Sequence, residues 1–307
     1  MMRRLLAASA LAAAALAAAS AAHAQSVAIT IDDGPNAGNT PRMSAQERNQ
    51  AILDALAKHR VQAALFVTAG YGANTPQGLP LLQAWSKAGH AIGNHTVTHP
   101  DLEKVPLAEY QRQVMECDKL ISTQPGYRKW LRFTYLREGN TPEKIDGMRK
   151  FLHEHDYRNA HVSMDTSDWR LNEKLEEVLK KDLKADVSAI RTAYLAHIKQ
   201  RALAYRELSQ QLQGRDISQV LLLHHNLLNA LWLDDVLTQF EQMGWKIITP
   251  AQAFDDPVYK LEPVRKAVGQ SLLLSLGRVL GLGLMPGGER LVDDGDYEIA
   301  ELAKKGL

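Results

Sequence analysis

Apolar residues in this 307-residue chain fall into short runs separated by longer stretches with helical spacing. The runs at 27–31, 63–67, 89–93, 130–135, 159–164, 219–223 and 245–248 are brief, and Gly, Pro, Asn or Asp bounds most of them. Such runs predict strands covered on both faces, as in a parallel sheet. Between them, 46–59, 80–88, 106–122, 141–154, 173–213 and 230–243 read as helices. In 173–213 the residues Leu175, Leu179, Leu183, Val187, Ile190, Tyr194 and Ile198 recur every three or four positions, so one long face is apolar. Thr141 before Pro142 supplies an N-cap and a first helical position. A closing helix begins at Pro250. Strand and helix alternate without an internal repeat, which predicts an α/β fold with a parallel sheet or barrel. In the tail, 263–307, residues 271–280 read as helix and 281–288 as loop. A tail of this size is expected to dock on the barrel rather than form a second domain.

The first 24 residues read separately. Arg3 and Arg4 precede an alanine-rich apolar run, and Ala22-His23-Ala24 fits a small-x-small cleavage site. This pattern predicts a secretory signal peptide cut before Gln25. No later stretch holds 18 uninterrupted apolar residues, so the expectation is an exported protein, periplasmic or secreted, without stable membrane insertion. Losing the two arginines takes the net charge from +1 to −1, which gives no electrostatic reason to bind nucleic acid. Cys117 is the only cysteine, and a small buried apolar role is expected for it. Any metal must therefore be held by imidazole and carboxylate.

Candidate chemistry sits where the predicted strands end. Asp32 and Asp33 follow the first, and His95 and His99 follow the third. Arg132 and Tyr135 belong to the fourth. Asp165 and Asp168 follow the fifth, and His224 follows the sixth. In a parallel barrel these ends converge on one face. Adjacent carboxylates in a core need pairing or a metal; an exposed Asp-Asp-Gly turn is the other reading. His95 and His99 are four apart, so on a helical turn they share a face and suit one ion; a solvated helix face would look the same. Val97 and Thr98 leave no Glu beside the first His, so the protease form is absent. With Asp32 or Asp33 the set becomes two histidines and one carboxylate, leaving positions for water and substrate.

Thr30-Ile31-Asp32-Asp33-Gly34, His95-Thr96-Val97-Thr98-His99, Arg132-Phe133-Thr134-Tyr135, Asp165-Thr166-Ser167-Asp168-Trp169 and Leu222-Leu223-His224 together resemble the five ordered motifs of polysaccharide deacetylases with the NodB-type homology domain, carbohydrate esterase family four. The resemblance spans roughly 27–254. It implies a distorted parallel (β/α) barrel of seven strands over 25–262, with a helical insertion and a C-terminal tail at 263–307. It also implies metal-dependent removal of acetyl groups from an N-acetylated glycan. By the same resemblance Asp33, His95 and His99 hold one divalent ion, most often zinc, with cobalt, nickel or iron as alternatives. Asp32 is the general base and Arg132 orients it. The Tyr135 N–H supports the oxyanion, and His224 is the acid, held protonated by Asp165. Trp169 and Leu222 wall the acetyl pocket.

Thr134 stands where the family usually has Pro, which leaves the direction of the Tyr135 N–H open. His225 stands where the family often has Asp, so either His224 or His225 could be the acid, with the Leu222 spacing favouring His224. The 173–213 stretch either edges the cleft as a hairpin or simply covers the barrel. Tyr71, Trp85, Tyr127 and Trp232 are candidates for glycan stacking. A small-amide or cyclic-imide amidohydrolase on the same scaffold and a non-catalytic glycan-binding protein are the competing functions. A phosphatase of the Asp-x-Asp type is disfavoured because the two acids are adjacent.

Overall fold

The computed structural model describes residues 25–263, 270–282 and 295–307. The signal-peptide segment, and most of the loop expected at 281–288, lie outside the described residues. Seven strands form one sheet: β1 (Ser26–Gly34), β2 (Ala64–Val67), β3 (Ala91–Asn94), β4 (Tyr127–Leu131), β5 (Arg158–Asn159), β6 (Ser218–His224) and β7 (Lys246–Ile248). The order is β5-β4-β3-β2-β1-β6, every pairing is parallel, and β7 also pairs with β1. β6 pairs with β1 from Ser26 to Asp32, with Asp32 opposite His224. β7 takes the first residues of β1 and β2 takes the last, so the two share its other edge.

The ring is closed by chain beyond β5. Met164 bridges to Leu221, and Leu222 N–H donates to Met164 O at 3.0 Å. Thus the expected fifth strand, 159–164, pairs at its two ends with different neighbours. Its middle carbonyls go elsewhere: Arg132 Nε takes Ala160 O at 2.5 Å, and Leu272 N–H takes Val162 O at 2.7 Å.

Helices α1 (Ala45–Lys58), α2 (Leu79–Lys87), α3 (Leu107–Ile121), α4 (Pro142–Glu154), α5 (Asp168–Lys181), α6 (Ser188–Gln213), α7 (Leu227–Gln242), α8 (Pro250–Phe254), α9 (Leu272–Val279) and α10 (Asp296–Lys304) surround the sheet. Their starts follow local chemistry. Ser44 and Glu47 make a capping box on α1, Thr141 caps α4, and Asn226 caps α7. The predicted single stretch 173–213 is two helices. Asp182 and Asp186 accept the N–H groups of Lys184 and Ser188, and those Asx turns break it. The main core joins β1, β2 and β6 to α1, α6 and α7, and a second cluster lies under α4 around Phe133, Met148 and Phe151. Among the described tail residues, α9 packs on α6 and α10 on α5. No helix among the described residues is long and apolar enough to cross a membrane.

Candidate active site

β1 carries five fully or nearly fully buried residues before its two acids, and those acids diverge because the backbone turns between them. Asp33 adopts φ 62°, the left-handed region, so its side chain departs from that of Asp32. Asp33 Oδ1 lies 3.7 Å from His95 Nε2 and 3.6 Å from His99 Nε2, and Thr68 Oγ1 donates to it at 3.0 Å. One ligand atom from each of Asp33, His95 and His99 lies within 4.8 Å of the others. A tetrahedral ion with ligands at about 2.0–2.2 Å spaces them about 3.3–3.6 Å apart. The separations to Asp33, 3.6 and 3.7 Å, lie at or just above that spacing and so suit one small divalent cation.

The two histidines meet differently from the sequence expectation. Residues 95–99 are not helical; Thr96 and His99 have φ 71° and 56°. This irregular turn brings the rings edge to face, 4.8 Å between centroids. His95 Nδ1 lies 2.7 Å from Arg132 O, and a carbonyl only accepts, so Nδ1 carries the proton and Nε2 offers its lone pair. Burial pushes His95 down to about 3 and also lowers His99, so both imidazoles are neutral, as ligands require.

Asp32 has a different environment. Both its oxygens accept from Arg132 Nη1 at 3.1 Å, and it approaches only His95 of the two histidines, at 3.7 Å. Arg132 is itself fixed by Ala160 O, by Thr30 Oγ1 at 3.3 Å, and by the Phe66 ring 4.3 Å below the guanidinium. Burial raises the Asp32 carboxyl to about 6, with Arg132 and His224 opposing the rise. Of the two acids, Asp33 is the one with an oxygen near both imidazoles.

On the far side of the cluster, His224 Nδ1 is 2.6 Å from Asp168 Oδ1. Asp168 Oδ2 accepts from His224 N–H (3.0 Å), Asn226 Nδ2 (2.9 Å) and Asn229 Nδ2 (2.6 Å). Burial opposes protonation of His224, but Asp168, then Asp33 and Asp32, overcome it and push the imidazole up to about 10. This corrects the expected partner: Asp165 instead accepts the Ser167 N–H at 3.0 Å. Ser167 at φ 47° turns the chain so that Asp168, the next residue, faces the imidazole. Asn226, Asn229 and Thr68 were not anticipated; their only signal was proximity to a strand end.

His225 points away from this group. Its Nδ1 accepts from Asn36 N–H at 3.4 Å, its Nε2 meets Asn49 Oδ1 at 3.0 Å, and burial drops it to about 3. Thr134 does not fix φ as Pro would. Its N–H donates to Tyr110 Oη at 3.1 Å and its hydroxyl to Pro100 O, and Tyr135 follows at φ 55°. The Tyr135 ring packs on His99, 4.4 Å between centroids. Leu222 is buried on β6, and Trp169 is partly exposed at the start of α5. Of the proposed stacking residues, Trp85 and Trp232 are core, and Tyr127 is tied to Asp118. Tyr71 is exposed and stacks on His99 at 6.2 Å. Cys117 is buried, with its thiol donating to Val67 O at 3.4 Å.

A parallel (β/α) barrel with two imidazoles and a carboxylate grouped at its strand ends defines an α/β protein with a candidate metal centre. Residues 19–158 match the family model described as polysaccharide deacetylase. It is 32% identical over 145 residues to a peptidoglycan-N-acetylglucosamine deacetylase of Bacillus cereus, covering 47% of this chain and 46% of that one. It is 41% identical over 98 residues to a chitooligosaccharide deacetylase of Sinorhizobium fredii, covering 32% and 40%. The matched stretches span less than half the length of these curated relatives. Among solved structures, a carbohydrate esterase family four pseudoenzyme from Bacillus anthracis superposes with TM-score 0.54 at 16% identity, over 76% of this chain and 66% of that one. A peptidoglycan N-acetylglucosamine deacetylase superposes with TM-score 0.51 at 23% identity, over 76% and 89%. These likenesses show the fold.

Proposed function

We propose that this chain is a metal-dependent hydrolase that removes N-acetyl groups from an N-acetylated glycan. The observation that carries the reading is the approach of Asp33 Oδ1 to two imidazole Nε2 atoms at 3.6 and 3.7 Å, between Asp32 on one side and His224 on the other. Asp33, His95 and His99 would hold the cation; their nitrogen and oxygen donors suit zinc best, with cobalt, nickel or iron as competitors. When bound, such an ion acts as a Lewis acid toward the amide carbonyl and its attacking water.

The rest belongs to the chain. Asp32, held as an oriented carboxylate by Arg132, accepts a proton from the attacking water. The Tyr135 N–H is the assigned donor to the developing oxyanion. His224, kept as imidazolium by Asp168, gives its Nε2 proton to the departing nitrogen. An amide cannot readily expel an unprotonated amine, so that proton is what completes cleavage to acetate and a free amino sugar. Trp169 and Leu222 would enclose the acetyl methyl, and Tyr71 and Tyr135 would offer faces to sugar rings. The relatives' names, peptidoglycan-N-acetylglucosamine deacetylase and chitooligosaccharide deacetylase, support a glycan over a small amide or cyclic imide. The leader pattern supports export, and the residues from 25 to 262 make the catalytic unit. The test is acetate release by zinc-loaded protein across peptidoglycan, chitin oligomers and small amides. Release from a glycan that stops on chelation is expected. Release from small amides alone, or from none, overturns the reading.

A further inference from the structure

The C-terminal segment plays no part in the chemistry above, yet it forms the wall behind the acid half of the site. α10 packs against α5, the helix that begins with Asp168 and Trp169. Gly295, just before α10, lies against the Trp169 ring at φ 81°. A Cβ there would stand 2.8 Å from Trp169 Cη2 and 2.9 Å from Cζ2. Only glycine fits both the conformation and the space.

One turn further, Glu298 is buried, and Arg201 Nη2 donates to its Oε1 at 2.6 Å with both side chains fully shielded. His197 Nε2 lies 3.5 Å from the same oxygen and 2.9 Å from Thr166 O. Since a carbonyl only accepts, His197 Nε2 carries the proton. His197 and Arg201 are four apart on α6 and so share one face. Thr166 is in the turn between Asp165 and Asp168, directly before left-handed Ser167. Buried ion pairs stabilise little more than apolar packing does, but they impose direction.

We propose that α10 is a positioning element for the acid half of the site. Glu298, acting through Arg201 and His197, fixes the Thr166 carbonyl and hence the turn that aims Asp168 at His224, while Gly295 seats Trp169. The catalytic consequence rests on the deacetylase reading; the docking itself does not.

The test uses the full chain, loaded with zinc, and acetate release from an N-acetylglucosamine oligomer. His197→Phe keeps a ring but loses the N–H, and is expected to lower kcat about 10- to 100-fold with KM and bound zinc unchanged. His197→Gln, whose amide also donates, is expected to recover most of that loss. In an Asp168→Ala background His197→Phe should cost nothing more. Wild-type kcat in His197→Phe, or the same fold-loss with Asp168 already gone, overturns the proposal. Docking is read without turnover. Trp169 is the one exposed member of the five tryptophans, so Glu298→Ala should increase acrylamide quenching, and Trp169→Phe should abolish that increase. Unchanged quenching overturns the role of α10. An unmodified protein that releases no acetate, yet shows the quenching response, overturns the deacetylase reading and leaves the docking standing.

Discussion

Replacing Asp168 by Asn removes a carboxylate and leaves a group of the same shape beside His224. His224 stands at about 10 instead of 6.5 in this structure, chiefly because Asp168, then Asp33 and Asp32, outweigh the cost of burying its charge. Asp165 also faces it electrostatically. That interval corresponds to about 5 kcal/mol favouring the imidazolium, at 1.36 kcal/mol per pH unit. A bound dication would cancel the share due to Asp33, so Asp168 becomes the main support. Without it, less opposes the burial that disfavours the imidazolium, and the ring shifts toward its neutral form. A general acid that has lost its proton costs about 10²- to 10⁴-fold in rate. The sign of the pH effect follows directly. His224 acts protonated, so wild-type activity is lost as pH rises through its raised value. In Asp168→Asn this loss should move several pH units lower, toward the acidic limb set by Asp32, whose carboxyl stands at about 6. Folding stability follows the same linkage: the contribution of His224 is complete below about 6.5 and disappears as pH rises toward 10. The assay is kcat against pH from 5 to 10 by acetate release, paired with Asp165→Asn. An unmoved basic limb in Asp168→Asn, or the shift appearing in Asp165→Asn instead, would refute the reasoning.

Four further outcomes are expected. Asp33→Ala, His95→Ala and His99→Ala should each lose bound metal and activity together, read by metal analysis and acetate release on the same samples. Arg132→Met strands Asp32 in the interior and should cost about 3–5 kcal/mol in urea unfolding, whereas Asp32→Asn should keep the metal and lose about 10²- to 10⁴-fold in turnover. His225→Gln should leave kcat within a few-fold of wild type, because that ring serves Asn36 and Asn49; a loss comparable with His224→Gln would make His225 the acid.

The sequence made the barrel visible because most strands fall in short apolar runs bounded by turn residues, and because reactive groups cluster at one set of strand ends. What it could not show depends on backbone direction. Asp165 and Asp168 are both polar, both near the fifth strand and both next to hydroxyl residues. Only the left-handed Ser167 turn decides which carboxylate meets His224. The same applies to Asp32 and Asp33, which separate because Asp33 leaves the extended conformation. The fifth strand was overestimated because its apolar pattern holds through Met164, while Arg132 and Leu272, distant in sequence, take carbonyls that a neighbouring strand would have used. Trp85 and Trp232 looked available for sugar because composition does not reveal which helix face is covered; Asn49 accepts the Trp85 indole N–H in the core at 2.8 Å. Glu298, one of three acids in a tail helix, gave no sign that it would be buried on Arg201.

The central claim is that Asp33, His95 and His99 bind one catalytic cation. The most direct measurement is anomalous diffraction at the zinc edge from crystals of the zinc-loaded protein. The account predicts a single strong peak about 2.0–2.2 Å from Asp33 Oδ1 and from both Nε2 atoms. No peak there, or a peak held by other residues, would contradict it.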